Sequence, residues 1–165
     1  MNREPTMNLL HSLFIGLTLL CLFAACGNDN AATSNPQVTA TAPPTSYPSI
    51  SIDRLEYLWN NADYMDVVFY ELPISLNQST QEQVRSTIAH ISEKTPVINP
   101  ACKSVGRLFF QVKGKNVEEA EIYFENGCTY YVWLENGKPA YANTITQAGI
   151  DFYNNVYVQA QQLNQ

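Results

Sequence analysis

The sequence predicts an α+β domain: an antiparallel four-stranded meander, preceded by one further strand, with helices packed on one face. Three observations predict it. Two Asn-Gly dipeptides, Asn126-Gly127 and Asn136-Gly137, lie between runs rich in Tyr, Val and Trp. A type I′ hairpin turn needs positive φ at both central residues, which Asn and Gly tolerate best. A third turn signal, Gly114-Lys115-Asn116, precedes them. The flanking segments 51–63, 79–92 and 144–162 instead space their apolar residues as helices do, and helices set on one side of an antiparallel sheet make this class.

The chain of 165 residues opens on a leader. Arg3 is its only basic side chain, and Met7 is a second candidate start. The apolar run 13–23 has the length of a signal-peptide core and is too short to span a bilayer. It runs into Leu22-Phe23-Ala24-Ala25-Cys26-Gly27. This stretch resembles the lipobox of bacterial lipoproteins, with Phe23 standing where Leu is usual. The resemblance implies that residues 1–25 are a cleaved signal peptide and that Cys26 carries diacylglycerol on its sulfur. Stable attachment then needs the several acyl chains such lipoproteins bear, since one chain anchors only marginally. Gly27, rather than Asp, implies by the same resemblance sorting to the outer membrane of a Gram-negative envelope, facing either the periplasm or the outside. Residues 26–49 are rich in Asn, Thr, Ala and Pro, have little to bury, and read as a disordered tether with a reach of roughly 25 Å. Residues 50–165 are then a single α+β domain.

Within that domain Ser51 caps a helix whose inner face is Ile52, Leu55, Leu58, Trp59 and Ala62 and which ends near Asp63. Residues 67–76 read as one strand, placed on an edge or bent at Pro73, which cannot donate to a ladder. Ser79 and Glu82 fit a capping box for a helix that turns Val84, Ile88 and Ile91 inward and stops before Pro96. The meander follows over residues 107–143. The first Asn-Gly turn sets Ala120 opposite Trp133 and Ile122 opposite Tyr131. The second sets Glu135 opposite Lys138, Trp133 opposite Ala140 and Tyr131 opposite Ala142. A three-residue loop at Gly114-Lys115-Asn116 sets Phe110 opposite Ala120, with Asn116 in the left-handed position. One face is then Leu108, Phe110, Val112, Ala120, Ile122, Phe124, Tyr131, Trp133, Ala140 and Ala142, assigned to the core because a one-residue slip would expose it. The last helix, 144–162, is capped by Thr144 with Gln147 and buries Gly149, Phe152, Tyr153, Val156 and Ala160. This layout loosely resembles small envelope lipoproteins of Bacteroidota-type bacteria, a resemblance that carries no function over.

Four cysteines are present. Cys21 leaves with the leader and Cys26 is the lipid site. Cys102 and Cys128 remain, an even pair in an oxidising compartment, and read as a structural disulfide near one end of the sheet. A redox or metal role would need a close motif such as Cys-x-x-Cys, which the sequence lacks.

A net charge of −6 argues against nucleic acid and against attraction to anionic lipid. There is no phosphate-cradling Gly-rich loop and no Gly-x-Ser-x-Gly elbow. His90 is the one histidine after the leader. It falls off the Val84-Ile88-Ile91 stripe and reads as a surface or edge residue, with no second His to complete a zinc site. Asp63 and Asp66 lack the spacing of a calcium loop and read as cap or turn residues. Glu119 and Glu121 lie about 7 Å apart on one strand face, a spacing open to glycoside hydrolysis but ordinary for a solvated face. The face carrying Phe109, Tyr123, Tyr130, Val132 and Tyr141 mixes aromatics with acids, as binding surfaces do, unless the domain's own loops cover it. The expectation is therefore a non-enzymatic, lipid-anchored envelope module, without cofactor or metal, that binds a protein or glycan through this face. The alternatives are a small glycan-acting enzyme using Glu119 and Glu121, and a structural or inhibitory lipoprotein pairing through an edge strand.

Overall fold

The computed structural model describes residues 45–163 except residue 126. The expected signal peptide, the expected lipid site Cys26 and the expected tether as far as residue 44 lie outside the described residues. Among those described, no helix is long and apolar enough to cross a membrane.

The elements are α1 (Ile52–Asn61), β1 (Tyr64–Phe69), β2 (Ser75–Gln78), α2 (Gln81–Ile88), β3 (Gly106–Val112), β4 (Lys115–Tyr123), β5 (Tyr130–Glu135), β6 (Lys138–Thr144) and α3 (Gln147–Gln162). The class is α+β as expected, but the sheet is larger, with six antiparallel strands in the order β2-β1-β3-β4-β5-β6. The segment read as a single strand is two. β1 begins at Tyr64 and lies inside the sheet, where Met65, Val67 and Phe69 are buried against β3. Pro73, with no N–H to give, falls in the turn that follows, and β2 returns along β1 as the edge.

Each helix is capped by a hydroxyl that accepts a backbone N–H: Ser51 from Arg54, Thr80 from Gln83 and Thr146 from Gly149. The last two stand one and two residues later than Ser79 and Thr144. Thr144 is unavailable as a cap because it ends β6, donating its N–H to Lys94 O and accepting from Ser92 N. The domain also begins before Ile50. Ile98 donates its N–H to Thr45 O and Ala142 donates to Pro48 O, so residues 45–49 are ordered against the sheet rather than part of a loose tether.

Two hairpins depart from the expected register. Between β3 and β4 the turn has two residues, Lys113 and Gly114, at φ +51° and +73°, with Val112 opposite Lys115. Asn116 is a strand residue instead. An irregularity after Phe110 then sets Phe110 opposite Glu118 and Leu108 opposite Ala120. The offset from the expected pairing is two residues, which preserves faces, so Leu108, Phe110, Ala120 and Ile122 are all buried as assigned. Between β5 and β6 the error is one residue and does change faces. Glu135 pairs with Lys138, as expected, but a bulge after Trp133 sets Trp133 opposite Tyr141 and Tyr131 opposite Asn143. Ala142 moves to the other face.

That bulge carries Asn143 into the core. Its Oδ1 accepts from Trp133 Nε1 (3.0 Å) and from Ile50 N (3.1 Å), and its Nδ2 donates to Ser92 O (2.8 Å) and Ser49 Oγ (2.7 Å). Every hydrogen-bonding position of the amide is used, which is what full burial requires of it. Trp133 stacks on Phe110, and Tyr131 O–H and Tyr153 O–H bond at 3.2 Å in the interior, tying α3 to the sheet.

His90 is buried rather than superficial. α2 ends at Ile88, and the following turn swings the imidazole inward, where it lies 5.1 Å from the Phe152 ring. Gly149 permits this approach, since a Cβ there would come within 2.8 Å of His90 Cβ. Nδ1 has no partner, and burial lowers the imidazole's pKa. The folded state therefore favours the neutral ring. Stability from this site is complete above the unfolded value of 6.5 and declines as pH falls from there through the lower folded value.

Two outcomes follow. Asn143→Ala leaves the partners of a buried amide unpaired and lowers unfolding free energy by about 3–5 kcal/mol, measured by urea denaturation. His90→Phe flattens the decline in thermal stability of the parent between about pH 6.5 and 5, before the carboxylates titrate.

Candidate functional site

The sheet face turned away from the helices has two halves. Over β5 and β6 it is roofed. Tyr47, Ile98 and Cys102 pack on a small cluster of Cys128, Tyr130, Val132 and Ala142. Cys102 and Cys128 stand at disulfide distance, Cα–Cα 6.4 Å, and staple this roof to the sheet end as their sequence positions suggested. Tyr130 and Val132, read as open binding residues, are thus covered by the domain's own loops, at 4 % and 3 % exposure. Tyr123 is half-buried beside them, its ring 4.8 Å from that of Tyr130. Tyr141 is on the opposite face, a consequence of the β5–β6 bulge. There its hydroxyl bonds Glu135 (3.1 Å) and its ring lies 4.8 Å below the Arg54 guanidinium.

Over β1, β3 and the middle of β4 the described residues form no such roof. Phe109 sits there half-buried, in a row with Asp66 on one side and Glu119 on the other. The next row is Val68, Arg107 and Glu121, and Tyr64 stands beside Gln111. Of the five residues expected to form a binding face, then, only Phe109 and part of Tyr123 lie on this strip. Tyr64, Asp66, Val68 and Arg107 join them. The period-2 alternation of Tyr64, Asp66 and Val68 with buried Met65, Val67 and Phe69 was the available signal, hidden by starting the strand at residue 67.

Arg107 is the electrostatic centre of the strip. Its Nη1 bonds Glu119 (2.7 Å), and its Nε and Nη2 bond Glu121. Glu121 also accepts from Tyr70 O–H (2.8 Å) and from Ser104 O–H. Burial alone would raise the Glu121 pKa, but the Ser104, Arg107 and Tyr70 hydrogen bonds outweigh it and hold the carboxyl below its ordinary value. The same carboxylate raises Arg107, and it adds to burial in raising Tyr70. A carboxylate held ionised by three donors is a poor proton donor. Glycoside hydrolysis needs one carboxyl kept protonated beside an ionised partner, and the donors around Glu121 favour its ionised form.

A second ion-pair group ties α1 to the sheet. Arg54 grips Glu118 through Nε and Nη2 (2.7 Å each) and reaches Glu135 through Nη1 (2.7 Å). Glu118 faces this way because it lies on the same inward side of β4 as Ala120 and Ile122, and Arg54 is correspondingly held protonated above its usual range. Asp63 accepts the Lys113 N–H at the β3–β4 turn (3.0 Å) and so acts as a turn anchor. Among the described residues no three His, Cys, Asp or Glu side chains converge as a metal site would require.

The chain matches no family model, no curated protein and no solved structure.

The bond between Cys102 and Cys128 closes a 26-residue separation. Replacing both cysteines with Ser lowers unfolding free energy by about 3 kcal/mol in the chain-entropy account. Urea denaturation of the parent with and without reductant checks this, and reductant leaves the double variant unchanged.

Proposed function

We propose that this chain is a lipid-anchored cell-envelope protein that works by binding, without catalysis, through the unroofed strip of its sheet. The lipobox-like leader supports the address: Cys26 lipidated, outer membrane, the domain held off the bilayer by the residues between. The strip supports the activity. Phe109 and Tyr64 offer ring surface, and Arg107, Glu119 and Asp66 offer fixed charges around it, the composition of a recognition surface rather than of a catalytic cleft. A protein or a glycan of the envelope fits such a surface, since both present apolar planes edged with hydrogen-bonding groups.

The observation that carries this reading is the division of the face. Its other aromatic half is closed by loops and a disulfide, while among the described residues Phe109 and Tyr64 on this half stay partly in solvent, with Tyr70 and Ser104 reaching in at Glu121.

Crosslinking in cells that carry the full chain, followed by recovery, tests it. Phe109→Ala combined with Tyr64→Ala is expected to remove a recovered partner, protein or glycan, while leaving thermal stability within about 1–2 kcal/mol of the parent, as half-exposed positions allow. Recovery of the same partners in the same amounts would refute the site. Cys26→Ser, in the same cells, is expected to move the chain from the membrane pellet to the soluble fraction.

A further inference from the structure

The helical side of the domain carries a second surface, unconnected with the sheet strip. α1 and α2 lie side by side, and the furrow between them is not filled. Ile52, Leu55, Trp59 and Ile88 line it, and two adjoining hollows of about 240 and 460 Å³ meet at Trp59 and Ala89. Ile52 is 57 % exposed and Trp59 is 42 % exposed, although both lie on the apolar side of α1. The Trp59 ring is held in place. The Arg85 guanidinium stacks 5.3 Å from its centroid and Nε donates to Trp59 O at 2.8 Å.

The rim is acidic. Glu56 and Glu93 border one hollow and Glu82 the other. Glu118, Glu119, Glu121 and Glu135 are all engaged by arginines elsewhere. Among the described residues, Glu56, Glu82 and Glu93 take part in no ion pair. Among the described residues lining the two hollows Arg85 is the only cation, and it is occupied by Trp59. Three unpaired carboxylates therefore surround an apolar floor.

The walls restrict the occupant further. They are helices, whose backbone groups are bonded internally, and the Trp59 and Asn60 carbonyls also accept from Arg85 and Gln81 side chains. An extended peptide laid here would leave its own N–H and C=O groups without partners, whereas a helix satisfies its backbone itself. Anionic lipid is disfavoured by the rim charge.

The geometry points to the α1–α2 furrow as a docking site for a cationic amphipathic helix of a partner protein. Its apolar stripe packs on Leu55 and Trp59, and Lys or Arg residues flanking the stripe pair with Glu56, Glu82 and Glu93.

Tryptophan emission reads this directly. The chain has two tryptophans, and Trp133 is fully buried, so a ligand-dependent shift reports Trp59. The probe is a helical peptide of about four turns with Leu at i, i+3, i+4 and i+7 flanked by Lys, titrated against the full chain. A saturable blue shift is expected. Glu56→Lys with Glu93→Lys weakens binding by at least about tenfold and confers binding of the mirror peptide flanked by Glu. Phe109→Ala leaves the response intact, which separates this site from the sheet strip. Equal response to both peptides, or none to either, would overturn the inference. So would a shift produced only by phosphatidylglycerol vesicles, which indicates a lipid surface, or only by raising protein concentration, which indicates a second copy of the chain.

Discussion

The domain depends on one buried amide. Asn143 receives the indole N–H of Trp133 and the main-chain N–H of Ile50, and gives its own hydrogens to Ser92 and Ser49. Those partners come from the sheet, from the segment leading into α1 and from the segment leaving α2. A hydrophobic residue of similar size would fill the space but would strand each of those groups without solvent, at a cost greater than the packing it gained. The amide thus decides which way β6 faces. With Asn143 inward, Tyr141 must also point inward and Ala142 outward. The β5–β6 bulge is the backbone distortion that accommodates this.

The division of the opposite face follows from the same arrangement. Ala142 presents only a methyl to this face, and its N–H donates to Pro48 O. Residues 45–49 and the Ile98–Cys102 segment settle there, over Tyr130 and Val132. Over β1 and β3 no segment among the described residues plays this part, and Phe109 stays partly in solvent between charged neighbours.

Much of the architecture was legible in the sequence. Helices were marked by apolar spacing and hydroxyl caps, hairpins by Asn-Gly, and the disulfide by an even pair of cysteines behind a leader-like stretch. The core side of β3 and β4 was legible even though the turn was misplaced, because an offset of two residues returns every side chain to its own face. The β5–β6 pairing was not legible, because opposing Trp133 to Ala140 is the better local match and only long-range partners reward burying Asn143. β1 was obscured by Asp66, which breaks an otherwise apolar run, and by Pro73, which punctuates a turn rather than bending a strand. His90 went unseen for a similar reason: the swing of the chain past Ile88 and the missing Cβ of Gly149 are tertiary facts. At the candidate site, the cover over Tyr130 and Val132 was not legible, since a loop's resting place has no periodic signature.

The entry of the chain into the fold has a mechanical aspect. Anything that pulls on the residues before Thr45 loads first the Thr45–Ile98 backbone pair and then the Pro48–Ala142 bond beside β6. Ile98 lies shortly before Cys102, which is fastened covalently to Cys128 at the head of β5. Tension entering there is passed through a sulfur bridge to the middle of the polypeptide, so that the sheet is dragged as a block instead of being peeled strand by strand from its border.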